Sequence, residues 1–540
     1  MMKTSVVALV VLMLATVCCG AEYFVSPQGD DGAAGTSAGA AFRTIGKALA
    51  VAAAGDTVNL APGTYSERAK PAASGSADAP ITIRKTPGAE GEVVWTTPSP
   101  EPAAWEDKYA LNLKERNHFV VDGVVFRDCT AWILMWDSSH NTVRRCTFDG
   151  ADIYNCIRVN NGGYNRFLNC DFKRARPYVT DTKGVVQAQH AADYIELFRN
   201  AHHTLVEGCR FGQIGHVAVI IAAYKPGFVP TYNVIRNCEF ADPGWKCVGL
   251  HAAEHTLIDS CTFSGKASVF LQFETPKTIV RRNIFHGFRS SLPDKEDGYR
   301  GVFRVGSTKD GGADCDFLHN RVYANVFTDN ERTITSYSAR LPIDDNIFKN
   351  NIIWNNRQTL WLCQPDYTTA SKTYFVHNVL AGAAPGEKIL GYGTERFALA
   401  EVQAAGHKLA AFYQGNIEAA PQFAAADKGD YRLKDGSPCI DAGADLTVTS
   451  AAGKGTDVPV DDSLYFCDGY GLIDGDTVVI GKNEPVRITK IDHGAKTLTV
   501  ERALEWAQGD AVNLPYTGDR PDIGAYEHGM THQIGCPPSP

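Results

Sequence analysis

A short phrase recurs through the middle of this chain: a few apolar residues, then Cys, any residue, Phe. It stands at Cys146-Thr147-Phe148, Cys170-Asp171-Phe172, Cys209-Arg210-Phe211, Cys238-Glu239-Phe240 and Cys261-Thr262-Phe263, and returns as Asn283-Ile284-Phe285 with Asn in the Cys place. Successive copies lie 24, 39, 29, 23 and 22 residues apart. A minimal unit of about 22 residues that tolerates insertions marks a solenoid, which grows as one body because each coil packs only on its neighbours. Each copy holds three short apolar segments, as in Asn141-Thr142-Val143, Cys146-Thr147-Phe148 and Cys156-Ile157-Arg158-Val159, bounded by Asn, Asp or Gly. Three strands per coil predict an all-β fold, a parallel β-helix with counterpart strands about 4.8 Å apart.

The phrase also limits what its cysteines do. Five of them hold one place in successive copies, and Asn325, Asn351 and Asn378 take that place later. The expectation is a stacked internal ladder in which Asn side chains bond from coil to coil. Metal binding by these thiols is not expected, since no Cys pair of the mature chain has close ligand spacing and no His motif accompanies them. Rungs about 4.8 Å apart leave a disulfide open on distance. Cys439 with Cys467 is a separate, weaker candidate.

Lys3 precedes an apolar run from Val6 to Val17 and the small residues Cys18, Cys19, Gly20 and Ala21, which reads as an export signal over residues 1–21. A lipid anchor on Cys18 or Cys19 is the weaker alternative, because Val17 is a poor neighbour for a lipidated Cys. The expected location is secreted, periplasmic or at the cell surface, with no later run reaching the ~20 apolar residues of a membrane span. A net charge of -9 and no Lys/Arg-rich run argue against nucleic acid.

Residues 22–444 read as the β-helix with its N-terminal cap. Phe42, Ile45, Ala48, Leu49 and Ala52 have helical spacing within Phe42 to Ala54, and a helix there would shield the first core layer from water. After Leu380 the repeat loses regularity. Asp476 to Ile480, Val486 to Ile488, Thr497 to Val500 and Ala511 to Leu514 alternate like strands of a small β-roll or barrel, so residues 445–517 read as an inserted β module and 518–540 as a closing segment and tail.

The opening Tyr23-Phe24-Val25-Ser26-Pro27, the segments Asp56-Thr57-Val58 and Pro62-Gly63-Thr64-Tyr65, the Cys/Asn ladder and the ending Asp522-Ile523-Gly524-Ala525-Tyr526-Glu527 together resemble secreted bacterial right-handed parallel β-helix proteins of the pectate-lyase-like superfamily. The resemblance implies a right-handed coil and a polysaccharide partner, with a monomer as the expected state. It leaves the activity open, because that superfamily holds lyases, glycosidases, epimerases, esterases and non-catalytic surface proteins.

By the same resemblance, substrate would lie on the sheet that precedes the apolar segment before each ladder turn. Period-two alternation along those strands turns Val248, Leu250, Leu271, Phe273, Phe303 and Val305 inward. Arg158, Glu196, His251, Gln272, Glu274 and Arg304 then face outward as a mixed-charge stripe. Insertions at Lys173 to Ala192, Ala223 to Tyr232 and His286 to Arg300 would build cleft walls and supply Tyr178, Lys183, His190, Tyr224, Lys225 and Tyr299.

Three functions fit such a stripe. A β-eliminating lyase on a uronic-acid glycan needs a base and a cation at the carboxylate, and His251 and Arg304 are the candidates, two rungs or about 10 Å apart. A glycoside hydrolase needs two carboxyl groups roughly 5 to 9.5 Å apart. Glu196 and Glu274, three rungs or about 14 Å apart, do not meet that, although either could pair with a loop acid such as Asp181 or Asp193. A non-catalytic glycan-binding protein is the third. Calcium is common among the lyases this chain resembles, and Glu196 and Glu274 would be its oxygen candidates, but the clustered Asp motif is absent here.

Overall fold

The computed structural model describes residues 20–153, 155–175, 179–180, 186–187, 192–213, 215–290, 300–310, 313–339, 343–357, 360–362, 371–392 and 395–530. Three long parallel sheets run side by side along one axis. Sheet A runs from Glu22–Val25 to Tyr413–Gln414, sheet B from Gly63–Ser66 to Val379–Ala381, and sheet C from Tyr109–Asn112 to Leu390–Tyr392. One coil takes one strand from each, as in Thr142–Arg144, Thr147–Ala151 and Asn155–Gly163. The fold is the right-handed parallel β-helix that the repeat predicts. It continues past Leu380: Leu390–Tyr392 still pairs in parallel, before Glu395–Phe397 turns back antiparallel.

The repeated phrase sits at the corner between sheets A and B. Phe126, Phe148, Phe172, Phe211, Phe240, Phe263, Phe285 and Phe327 form one inner stack, with ring centroids 4.7 to 5.1 Å apart. Beside it, the thiols of Cys146, Cys170, Cys209, Cys238 and Cys261 each lie 3.5 to 3.8 Å from a main-chain carbonyl one coil earlier. Where Asn takes over, the contact becomes a strong hydrogen bond: Asn283 Nδ2 donates to Asn325 Oδ1 at 3.0 Å, and Asn325, Asn351 and Asn378 repeat it at 2.9 Å. The described cysteines are free thiols. Cys439 and Cys467 lie in separate apolar clusters, so the pairing considered for them is not made.

At the N-terminal end the helix spans Ile45–Val51, shorter than its apolar pattern because Ala52 is already extended. The Thr44 side chain accepts from Lys47 N, and Ile45, Ala48 and Leu49 are buried on the first coil. Near the other end, six antiparallel strands between Thr447 and Asn513 form a separate sheet. It docks on the outer side of sheet A, where Leu205, Val234, Leu257, Ile279 and Tyr323 join one apolar cluster with Val458, Phe466, Val478 and Ile488. The Arg281 guanidinium, fully buried there, bridges Asp259 at 3.1 Å and Asp476 of the module at 2.6 Å. Main-chain N of Gly443 donates to Pro521 O at 2.8 Å, so the chain leaves for the module and returns at one place. Among the described residues, no helix is long and apolar enough to cross a membrane.

Candidate functional site

Sheet C turns its apolar residues into the core and its polar ones away from it. Val248, Leu250, Leu271, Phe273, Phe303 and Val305 all belong to the central cluster. Strand register sorts the outward residues into two files. One reads Leu134, Arg158, Glu196, Ile220, Gly249, Gln272, Arg304 and Thr335, and the other Trp136, Asn160, Phe198, Ala222, His251 and Glu274.

One expectation is corrected here. The outer face is not a continuous polar stripe: Phe198, Val217, Ile220 and Ala222 form an apolar patch across its middle, with Tyr224 packed on it. Its polar side chains are also buried: Glu196 is 0% exposed, Glu274 1%, Gln272 4%, and His251 and Arg304 6% each. Only Arg158 is half-buried, its guanidinium held between the rings of Trp105 at 5.0 Å and Phe198 at 4.9 Å. Alternation along a strand tells inside from outside, but it carries no information about what is laid over the outside.

The apolar patch divides the polar residues into two centres. In the first, His251 and Glu274 face each other across adjacent strands, with His251 Nδ1 3.2 Å from Glu274 Oε2. Gln272 Nε2 donates to Glu274 Oε1 at 2.7 Å, which fixes the carboxylate from its other side. The Tyr224 ring stacks on the imidazole at 6.1 Å. The other imidazole edge looks toward Gly249: a Cβ there would lie 3.6 Å from His251 Nε2. Arg304 sits one strand beyond Gln272 and in its file, so His251 and Arg304 are two rungs apart and also two residues across. That makes about 12 Å between their backbones, within reach of one sugar unit held by both side chains. Arg300 is buried as well, and the strand Ala313–Cys315, which runs antiparallel to Gly301–Asp310, brings the Cys315 thiol in.

The second centre holds Glu196 and Asp193, the latter at the start of strand Asp193–His202 and not in a loop. The two carboxyl groups are close enough to act on each other's ionisation. His216 Nδ1 lies 2.7 Å from Asp193 Oδ1, Val217 N donates to the same oxygen at 2.9 Å, and Asn155 Nδ2 donates to Glu196 Oε1. Arg158 Nε lies 3.7 Å from Glu196 Oε2. Burial pushes Asp193 up to about 8, and burial together with the Asp193 charge pushes Glu196 well above the usual carboxylate range. Burial also holds His216 well below its ordinary value. Burial thus favours the protonated form of both carboxyl groups and the neutral form of His216.

Lys183 lies outside the described residues, as do Tyr178, Asp181, His190 and Tyr299. His216 and Cys315 were not singled out from the sequence. No local motif marks them, because each reaches its partners from a different strand. Among the described residues, neither centre gathers the six to eight oxygens that Ca²⁺ takes, and Glu274 has an imidazole and a thiol beside it. His251, Glu274 and Cys315 do bring three ligand atoms within 4.8 Å of one another.

A family described as a protein of unknown function, DUF1565, matches residues 27–74. No curated protein matches the chain. Among solved structures, the chain is similar to pectate lyase Pel9A at 16% identity, over 94% of this chain and 96% of that one, with a TM-score of 0.44. It is also similar to the PL6 family alginate lyase AlyGC at 16% identity, over 68% of this chain and 49% of that one, with a TM-score of 0.45. PfbA, a surface adhesin of Streptococcus pneumoniae, is similar at 12% identity over 63% of this chain and 86% of that one, with a TM-score of 0.42. These are likenesses of fold alone.

Proposed function

We propose that this protein is an exported carbohydrate-active enzyme, a β-eliminating lyase that acts on a uronic-acid glycan laid against the outer face of sheet C. The observation that carries the reading is the His251–Glu274 pair, whose Nε2 edge lies beside Gly249 with Arg304 on the far side of Gln272. Elimination removes the proton beside a carboxylate, spreads the negative charge onto that carboxylate, and then forms a C=C bond as the glycosidic C–O bond at the β-carbon breaks and the released oxygen takes up a proton. In this reading Arg304 neutralises the carboxylate and His251 accepts the proton, with Glu274 holding the imidazole in one orientation and stabilising its charged form. Exclusion of water from this centre strengthens each of these interactions. Gln272 and Tyr224 position sugar hydroxyls and a ring face, and Arg158 binds a more distant unit.

A glycoside hydrolase is supported less well. Glu196 and Glu274 are three rungs apart, beyond the ~9.5 Å of an inverting pair.

The test is incubation with a panel of uronic-acid and neutral polysaccharides. Ultraviolet absorbance from an unsaturated uronate supports the reading. New reducing ends without that absorbance would replace it with hydrolysis, and neither signal would leave a glycan binder.

A further inference from the structure

His251, Glu274 and Cys315 converge from three separate strands, are all buried, and place an imidazole nitrogen, a carboxylate oxygen and a thiol sulfur within 4.8 Å of one another. The thiols of the Cys ladder stand along the inner stack of aromatic rings. Cys315 stands instead on the outer side of sheet C, against an ionisable pair. A tetrahedral ion with bonds of about 2.0 to 2.3 Å needs its ligand atoms roughly 3.3 to 3.8 Å apart. One edge of the triangle, His251 Nδ1 to Glu274 Oε2, is already 3.2 Å, so closing the others asks for movement of about 1 Å. Gln272 supplies the outer support that metal sites use, since its amide holds the Glu274 oxygen that faces away from His251.

We propose that these three side chains form a site for one borderline-soft divalent cation of the Zn²⁺ type, and that filling it switches the reaction centre off. One nitrogen, one oxygen and one sulfur select such an ion over Ca²⁺ or Mg²⁺, which take oxygen. Binding deprotonates the thiol and leaves a fourth position open toward the cleft. A metal on Nδ1 displaces the Glu274 contact and leaves the imidazole with its one proton on Nε2, the nitrogen that would otherwise accept. The second half of the proposal rests on the lyase reading; the first half does not.

The full chain, stripped with a chelator, is titrated with Co²⁺ and with Zn²⁺. One Co²⁺ per chain with an intense near-ultraviolet band from thiolate to cobalt is expected, and Cys315→Ser, with its fold checked by circular dichroism, loses that band and at least tenfold in affinity. Absence of the band in the unmutated protein at stoichiometric Co²⁺ overturns the site without recourse to any variant, as does Cys315→Ser or Glu274→Gln binding as tightly as the parent. On a glycan that is cleaved, one equivalent of Zn²⁺ is expected to stop turnover and a chelator to restore it; turnover unchanged by bound Zn²⁺ overturns the switch. If no glycan is cleaved, the lyase reading fails and the site is judged on the cobalt spectrum.

Discussion

His251 Nδ1 lies 3.2 Å from Glu274 Oε2, and the two residues are register partners on adjacent strands of one parallel sheet. A sheet fixes such a pair better than loops do, because neither backbone moves without breaking its ladder. The pair therefore holds its orientation before any substrate arrives.

His251→Ala is expected to lower kcat/KM on the cleaved glycan by about 10² to 10⁴, the usual worth of a positioned base. Glu274→Gln keeps the shape and loses the charge, and is expected to lower kcat with little change in KM. Arg304→Ala, which loses carboxylate binding, is expected to raise KM as well. Full turnover by both His251→Ala and Arg304→Ala would remove this centre from the reaction.

The Asp193–Glu196 pair makes a prediction about pH. An unfolded Asp loses its proton near 3.9, whereas burial keeps the folded pair protonated up to about 8. Between these values the folded state binds more protons than the unfolded state, so this pair's contribution to stability falls as pH rises, by at most about 1.4 kcal/mol per pH unit. Glu196, His216, Lys246, Arg158, Cys156 and Tyr109 are charged or titratable groups around it. Asp193→Asn should flatten the slope of urea-unfolding free energy between pH 5 and pH 8, a window of ~3 units that lies inside the span between those two values. Parallel slopes for parent and variant would show that no proton is held there.

Asn325 is a link in the amide ladder: its Nδ2 reaches Val280 O and Asn351 Oδ1 at 2.9 Å, and its Oδ1 takes bonds from Asn283. Asn325→Ala strands several buried groups and should cost about 2 to 4 kcal/mol, from roughly 1 to 3 kcal/mol for each group left without a partner. Asn325→Cys, which copies the earlier rungs, should cost less. Calorimetry of both variants decides, and equal losses would mean that the place is not interchangeable.

Arg281 joins Asp259 of the helix to Asp476 of the module in a buried cluster. Arg281→Ala leaves Asp476 without its guanidinium partner and Asp259 with Arg282, and should cost about 3 to 5 kcal/mol. Limited proteolysis should then cut within 445–517 ahead of the coils. A digestion pattern unchanged from the parent would place the docking energy in the apolar contacts instead.

The coil was legible in the sequence because its determinants are local. Cys146, Cys170, Cys209, Cys238 and Cys261 mark successive rungs, and the residue two places on is always a Phe of the inner stack. Alternation in Val269–Glu274 separates core from outer face in the same local way. The site was less legible because it depends on sideways relations. Whether His251 shares a file with Arg304 depends on strand register. The meeting of Asp193 with Glu196 depends on side chains three residues apart folding toward one another at the start of one strand. Cys315 arrives on a short strand whose pairing is antiparallel and outside the repeat. Ile220 and Phe198, which interrupt the polar face, are apolar residues that strand register sets in the outward files.

The contacts that the module makes along sheet A change how the solenoid comes apart. Leu205, Val234, Leu257, Ile279 and Tyr323 come from five successive rungs, yet all join one apolar cluster with the module. A bare solenoid frays from its end, each coil depending only on the next. Here the coils that carry these five residues cannot peel off singly. They let go together or not at all, so the stretch that carries Gly249, Gln272 and Arg304 behaves as a splinted segment, resistant to unravelling from the C-terminal side.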